Sequence, residues 1–288
     1  MLTSGTMAAS IAVITDSSSC LPEQLAARWG IGVAQIQLHV GDHLDDEHRF
    51  DRAELIESMR AGTPVSTTPP DPGAFFWAYQ DAAARGAAAV VSIHISGRMS
   101  ATVEAAREAA QQVRIPVHIL DSGTLGMSLG FAAVSAARTA AAGAQADRVI
   151  AAAEQRCRTS AEFVYVDTLE YLRRGGRIGA AQSMLGTALS IKPLLTVTAG
   201  EVSPASRARG TKRALGKLVD LAVQTAGTRR VDVAVTRFGG PDERELEIGG
   251  AIRRRVTGLG EALLVEASTV IGAHVGPGAI GITVSPVS

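Results

Sequence analysis

Four short segments hold most of the side chains that could do chemistry: Asp16-Ser17-Ser18-Ser19, Ser66–Gly73, Ser96–Thr102 and Asp121–Thr124. They are rich in hydroxyls and glycines and leave the carboxyl ends of expected strands, where open parallel sheets hold their ligands. A small hydroxyl residue at a helix start caps the helix and can also offer a donor to an anion. For any one of these segments capping is sufficient explanation; four converging on one sheet edge point to a binding site. His274 lies in Gly272-Ala273-His274-Val275-Gly276-Pro277-Gly278. Glycines on both sides let backbone approach a ligand and leave the imidazole accessible as an anion donor. Arg177, in Arg173-Arg174-Gly175-Gly176-Arg177, and Arg209, in Arg207-Ala208-Arg209-Gly210, are guanidinium forks suited to a carboxylate or phosphate, or else solvated surface.

Other chemistries find less support. Asp16 stands where aspartyl phosphotransferases place their nucleophile, but the second acid such enzymes need two positions on is Ser18. Ser96 and Ser100 lack a G-x-S-x-G elbow, and the nearest match, Leu120-Asp121-Ser122-Gly123-Thr124, misses the first glycine. No P-loop or strand-borne G-x-G-x-x-G is present, so no nucleotide cofactor is expected. His39, His43 and His48 lie among Asp42, Asp45, Asp46 and Glu47 without metal-ligand spacing, and a solvated acidic loop is expected there rather than a metal site.

The elements that must position these residues alternate. Ile11–Thr15, Gly32–Val40, Ala87–Ile95 and Val117–Leu120 are expected strands. They are separated by helices beginning at Pro22, at Asp51 (a capping pair with Glu54), at Pro72, at Ser100 and near Leu125. That order means parallel pairing with helices on both faces. Ser66–Gly73 is expected to be a Thr/Pro-rich loop. From Glu162 the rhythm changes: a strand at Phe163–Val166, a helix reaching about Ser190, then a hairpin from Leu194 to Ser206 that requires antiparallel strands. Helices at Thr211–Ala226 and Glu243–Val256 and strands at Val231–Thr236, Leu263–Ala267 and Ala279–Val284 follow. The expected fold class is α/β with two α/β domains: residues 1–160 as a parallel-sheet, three-layer domain, and residues 161–288 as a mixed-sheet domain.

The 288 residues carry 28 Lys+Arg and 28 Asp+Glu, a formal charge of zero that leaves no electrostatic footprint for nucleic acid or an anionic membrane. Two cysteines, Cys20 and Cys157, form no CxxC pair. Met1–Ser10 has no secretion-signal pattern, and no apolar run approaches the ~20 residues of a membrane span. A soluble, cytoplasmic protein with no integral membrane segment is expected.

Taken in order, the motifs resemble the DegV family. Asp16-Ser17-Ser18-Ser19 with Leu21-Pro22 looks like its opening motif, and Thr67-Thr68-Pro69-Pro70-Asp71-Pro72-Gly73 is similar to its T-S-Q-P-S-P-G loop. Ser96-Gly97-Arg98-Met99-Ser100-Ala101-Thr102 is similar to S-x-x-L-S-G-T, with Ala101 in place of the glycine, where its Cβ bears on the Ser100 loop. Cys20 stands where the family usually has Asp or Asn. Tyr171–Ile178, Ile191-Lys192-Pro193-Leu194-Leu195, Arg209-Gly210 and Gly272–Gly278 complete the series. The resemblance implies a fatty-acid-binding protein rather than an enzyme. A long-chain, palmitate-like acid would lie at the domain interface, its carboxylate bonded by Thr67 and Ser100 from one domain and His274 from the other. Thr68, Ser96, Gly97, Arg177, Arg209 and Gly278 would support it, and the acyl chain would enter an apolar tunnel inside the C-terminal domain. It further implies that a separate fatty acid kinase receives the bound acid, within fatty acid metabolism or lipid transport. Two other readings remain open: a phosphotransferase or hydrolase using Asp16, Asp121 or Ser100 on a small acid, and a regulator binding another small acid.

Overall fold

The computed structural model describes residues 10–186, 190–239 and 243–287. In chain order, β1 (Ser10–Asp16), α1 (Glu23–Trp29), β2 (Gly32–Ala34), β3 (Gln37–Val40), β4 (His43–Asp46), α2 (Arg52–Arg60) and β5 (Val65–Thr68) open the fold. Next come α3 (Pro72–Ala84), β6 (Ala87–His94), α4 (Thr102–Ala110), β7 (Val117–Asp121), α5 (Gly126–Ala141) and α6 (Ala146–Thr159). The second half runs β8 (Ala161–Tyr165), α7 (Glu170–Arg174), β9 (Ile191–Thr198), β10 (Glu201–Arg209), α8 (Thr211–Ala226), β11 (Val231–Arg237), α9 (Glu243–Arg255), β12 (Leu259–Glu266), α10 (Thr269–Val275) and β13 (Ile280–Pro286).

A four-stranded sheet, β2-β1-β6-β7, is parallel throughout. Its central strands are near-continuous apolar runs because both faces are covered. On one face α3 and α4 pack Phe75, Tyr79 and Ala106; on the other, α5 and α6 pack Leu129, Ala133, Val149 and Ala153. The second sheet, β10-β9-β8-β13-β11-β12, is mixed, with only the β11–β12 pair parallel. Alternation divides its strands by face. Tyr165, Val233, Val235, Ile280 and Ile282 pack with Leu218 and Ala222 of the amphipathic α8, whereas Glu162, Val164, Thr236, Gly281 and Thr283 face the opposite way. Helices α5 and α6 touch both sheets and form a shared middle layer.

The expected single strand from Gly32 to Val40 is two strands in different sheets. The break at Gln35-Ile36 is held by Ser17 Oγ, which accepts the Ile36 amide at 3.0 Å. Beyond it, β3 pairs with β4 and β5, two strands formed from segments expected to be loops, in a small antiparallel sheet. Neither Val65-Ser66-Thr67-Thr68 nor His43–Asp46 has apolar alternation, so only tertiary pairing reveals them as strands. The helix expected from Ser100 starts at Thr102, and Ala101 there has φ −79°, an ordinary conformation that leaves the Ser100 loop unstrained. The helix expected to reach about Ser190 is a 3₁₀ segment at Gly179–Met184, and positions 187–189 of that stretch lie outside the described residues. Cys20 has φ 51°, the left-handed region that Asn and Asp tolerate best among non-glycine residues.

Two buried carboxylates cross the boundary between the halves in opposite directions. Glu47, after β4, accepts the Val270 amide at 2.9 Å and the Thr269 hydroxyl at 3.0 Å at the start of α10. Glu162, on β8, accepts the Ser128 hydroxyl in the first turn of α5 at 2.7 Å and the Thr283 hydroxyl at 2.7 Å. Each caps amides or hydroxyls that its helix cannot satisfy internally. Burial nevertheless pushes the Glu162 carboxyl up to about 7, with the Ser128 and Thr283 hydrogen bonds pulling the other way. The folded state therefore binds the extra proton between the ordinary carboxylate range and about pH 7. Its stabilising effect is complete below that window and is lost as pH rises through it. Glu162→Gln should match the parent in denaturant unfolding near pH 4 and exceed it by roughly 1–3 kcal/mol at pH 8. A constant difference across pH would reject this account.

Candidate functional site

A cavity of about 1020 Å³, mouth included, lies between the carboxyl edge of the parallel sheet and the inward face of the mixed sheet. Ile36, Ile95, Met99 and Leu125 line it from the N-terminal half, and Val164, Leu195, Val202, Phe238, Val270 and Ile271 from the other. An apolar tunnel is expected inside the C-terminal domain; this cavity is lined from both halves. The parallel sheet supplies one wall because its loops project past the strand ends, directly over α10 and β8.

Thr67, Ser100, Arg177 and His274 all line this cavity. Pairing of β5 with β3 places Thr67 across from Leu38. Its Oγ1 lies 2.9 Å from Nε2 of His274, carried by α10. Burial, with help from the nearby Arg177 charge, lowers the His274 imidazole to about 4, so it is neutral near pH 7. Its Nδ1 faces Gly175 and has no hydrogen-bond partner among the described residues. An unpaired N–H is rarer in native interiors than an unpaired lone pair, which assigns the proton to Nε2. Nε2–H then donates to Thr67, leaving the Thr67 hydroxyl hydrogen free for another acceptor. Ser100 Oγ sits 2.8 Å from Thr102 Oγ1 at the start of α4. The Arg177 guanidinium is fixed by the Met99 carbonyl at 3.1 Å and the Gly175 carbonyl at 2.8 Å.

The other expected supporting residues do not line the cavity. Ser96 is buried and donates to the Gly200 carbonyl at 2.7 Å, a tie between the two halves that the Arg98–Glu201 ion pair at 2.8 Å reinforces. The Gly97 amide donates to Asp121 at 3.1 Å, and a Cβ at Gly97 would stand 2.8 Å from the same carboxylate. Gly278 has φ 84°, with its amide donating to Phe238 at 3.0 Å. Thr68 is exposed beside Thr67, and Arg209 is exposed on β10.

The acids proposed for catalysis are occupied elsewhere. Asp16 is fully buried and accepts from the Ser18 amide at 3.0 Å, the Ser18 hydroxyl, the Ile95 amide at 2.9 Å and His94 Nδ1 at 3.1 Å. Asp121 organises two turns through the Gly97 and Gly123 amides. A chain of contacts, Ser92–His94–Asp16, has the connectivity of a hydrolytic triad, but all three are 0% exposed and none lines a described cavity. Tyr79 extends it at 3.0 Å, making it a core network rather than a reactive one.

Gly175, Glu162 and Cys20 are site neighbours that motif reading missed. Gly175 was legible only as flanking an arginine. A Cβ there would stand 2.2 Å from His274 Nδ1, so Gly175→Ala should displace the imidazole and lower stability by about 1–3 kcal/mol in chemical denaturation. An unchanged midpoint would reject that close approach. Cys20 lines the cavity with its thiol donating to the Ser18 carbonyl and accepting the Ser268 amide; burial pushes it up to about 12, so it is unreactive.

Comparison with known proteins agrees with this architecture. A DegV domain-containing protein of Streptomyces coelicolor is 39% identical over 280 residues, covering 97% of this chain and 99% of its own. The solved structure described as fatty acid binding of a DegV family protein from Thermus thermophilus superposes with a TM-score of 0.90 at 32% identity, covering 96% of this chain and 100% of its own. DegV of Bacillus subtilis, described as a fatty acid binding protein, superposes with a TM-score of 0.86 at 26% identity, covering 96% and 99% of the two chains. The sequence model described as "Uncharacterised protein, DegV family" matches residues 10–287, and the chain belongs to that family.

Proposed function

We propose that this protein binds a long-chain fatty acid, with its carboxylate at Thr67, Ser100, Arg177 and His274 and its acyl chain in the interdomain channel. The observation that carries this reading is that Thr67, Ser100, Arg177 and His274 meet on one cavity whose lining, Glu162, Thr196, Thr236 and Arg237 apart, is largely apolar and comes from both halves. A buried carboxylate needs several donors. The Thr67 hydroxyl, oriented by neutral His274, and the Ser100 hydroxyl are two, and Arg177 supplies the balancing charge. We give Arg177 more weight than the supporting place expected for it, a reading supported by its position among the residues that line the cavity.

Magnitudes divide the work between head and tail. A sixteen-carbon acid has fourteen methylenes worth roughly 0.8 kcal/mol each when buried, or about 11 kcal/mol before immobilisation is subtracted. One hydroxyl bond to a carboxylate contributes only about 1.5–3 kcal/mol. The tail supplies affinity and the head fixes register. In keeping with a binding role, Asp16 and Asp121 hold backbone rather than facing the cavity, and we assign residues 1–160 and 161–288 as the two walls of one binding unit. Presentation of the bound acid to a fatty acid kinase fits a head group held near the loops of both halves; Arg209, exposed outside the cavity, is available to such a partner.

Palmitate titration calorimetry tests this. Ser100→Ala should weaken binding about ten- to a hundred-fold, whereas filling the channel with Val164→Trp should weaken it beyond that range. Loss of all binding in the Ser100 variant with retention in the channel variant would reject the division of labour. Native mass spectrometry separates the alternatives: a co-purified long-chain acid supports this reading, and a short acid or nucleotide in its place would sink it.

A further inference from the structure

The inward face of the mixed sheet is ordered in rungs across β8, β13 and β11. Val164, Gly281 and Thr236 share one rung, and Glu162, Thr283 and Ala234 share the next. The first rung lines the cavity completely; of the second, only Glu162 does. β13 begins just after the Gly276–Gly278 turn that follows His274, so successive rungs lead away from the head group. They are about 6.6–6.8 Å apart. One rung further on, Ser285 and Asp232 are neighbours, and Arg156 closes the space by donating to Ser285 at 2.7 Å and Asp232 at 2.5 Å. The channel therefore runs from hydroxyls and Arg177 toward a buried, hydrogen-bonded polar floor.

We infer that the Glu162–Thr283 rung is where the acyl chain ends, and that Glu162 and the bare Gly281 above it set the length of fatty acid this protein accepts. This rests on the fatty-acid reading above. Each further methylene gains roughly four-fold in affinity while it lies in the channel. A methylene pushed into the floor would separate Glu162 from the Ser128 and Thr283 hydroxyls. Leaving one such buried group unpaired costs roughly five- to a hundred-fold, so the gain stops there. Gly281 keeps the rung above open. A Cβ at this position would meet the Phe163 carbonyl at 3.5 Å, Val164 at 3.7 Å and Thr236 at 3.8 Å, all ordinary contacts. A side chain fits the sheet without distortion, and what it would occupy is channel.

Two substitutions should move the limit in opposite directions. The measurement is calorimetric affinity across even-numbered saturated acids from decanoate to eicosanoate. For the parent protein, affinity should climb by roughly four-fold per methylene and then break at one chain length. Gly281→Val should move the break at least two carbons shorter, and Glu162→Ala at least two carbons longer. Gly281→Val reports on the channel even if Glu162→Ala fails to fold. A break that stays at the parental length in Gly281→Val, or in a folded Glu162→Ala, overturns the assignment while leaving fatty acid binding intact. A parent protein that binds none of these acids overturns the fatty-acid reading and this assignment with it.

Discussion

Among the described residues, Glu47 and Glu162 form no ion pair; each is buried at the seam between the two halves and bonded to the first turn of a helix belonging to the other side. A buried acid is costly unless donors meet it, so the halves are stable against each other only in the arrangement that brings those donors to it. The position of α10, and with it His274, follows from the Glu47 contact. The position of α5, which forms part of the opposite wall, follows from the Glu162 contact. Ser96 to Gly200, Arg98 to Glu201 and Arg156 to Asp232 add further ties between the halves.

This seam explains why the site has the composition it does. The ligand carboxylate we propose requires donors from more than one direction, and no single element presents Thr67, Ser100, Arg177 and His274 together. A small antiparallel sheet, the loop before α4, the segment after α7 and the end of α10 each contribute one. His274 serves best as a neutral group: lowered to about 4 by burial and by Arg177, it orients Thr67 without adding a second charge to the cluster. Gly175 is there because the ring needs the space.

Much of the architecture was legible in advance. Apolar strand runs and helical periodicity located most of the main elements, because local hydrophobic pattern follows directly from which faces are covered. The α8 helix at Thr211–Ala226 and the hairpin from β9 to β10 are cases in point. Two of the three strands of the third sheet, β4 and β5, were not legible. They are short and polar, and pairing rather than composition makes them strands. The same limit hid Glu162: in Ala161-Glu162-Phe163-Val164-Tyr165 it is a single acid beside an apolar run, and only the packing of α5 over that face buries it.

The sequence by itself determined the two-part α/β plan, the family and the residue types that could hold an anion, since these depend on local pattern and motif order. Tertiary structure decided which of those residues meet. It gathered Thr67, Ser100, Arg177 and His274 around one cavity, left Thr68 and Arg209 at the surface, and turned Ser96, Gly97 and Gly278 to structural contacts. It also made the channel a shared product of both halves. The physical reason is that the site is built from contacts some two hundred residues apart in the chain, such as Thr67 with His274, and no local spacing encodes them.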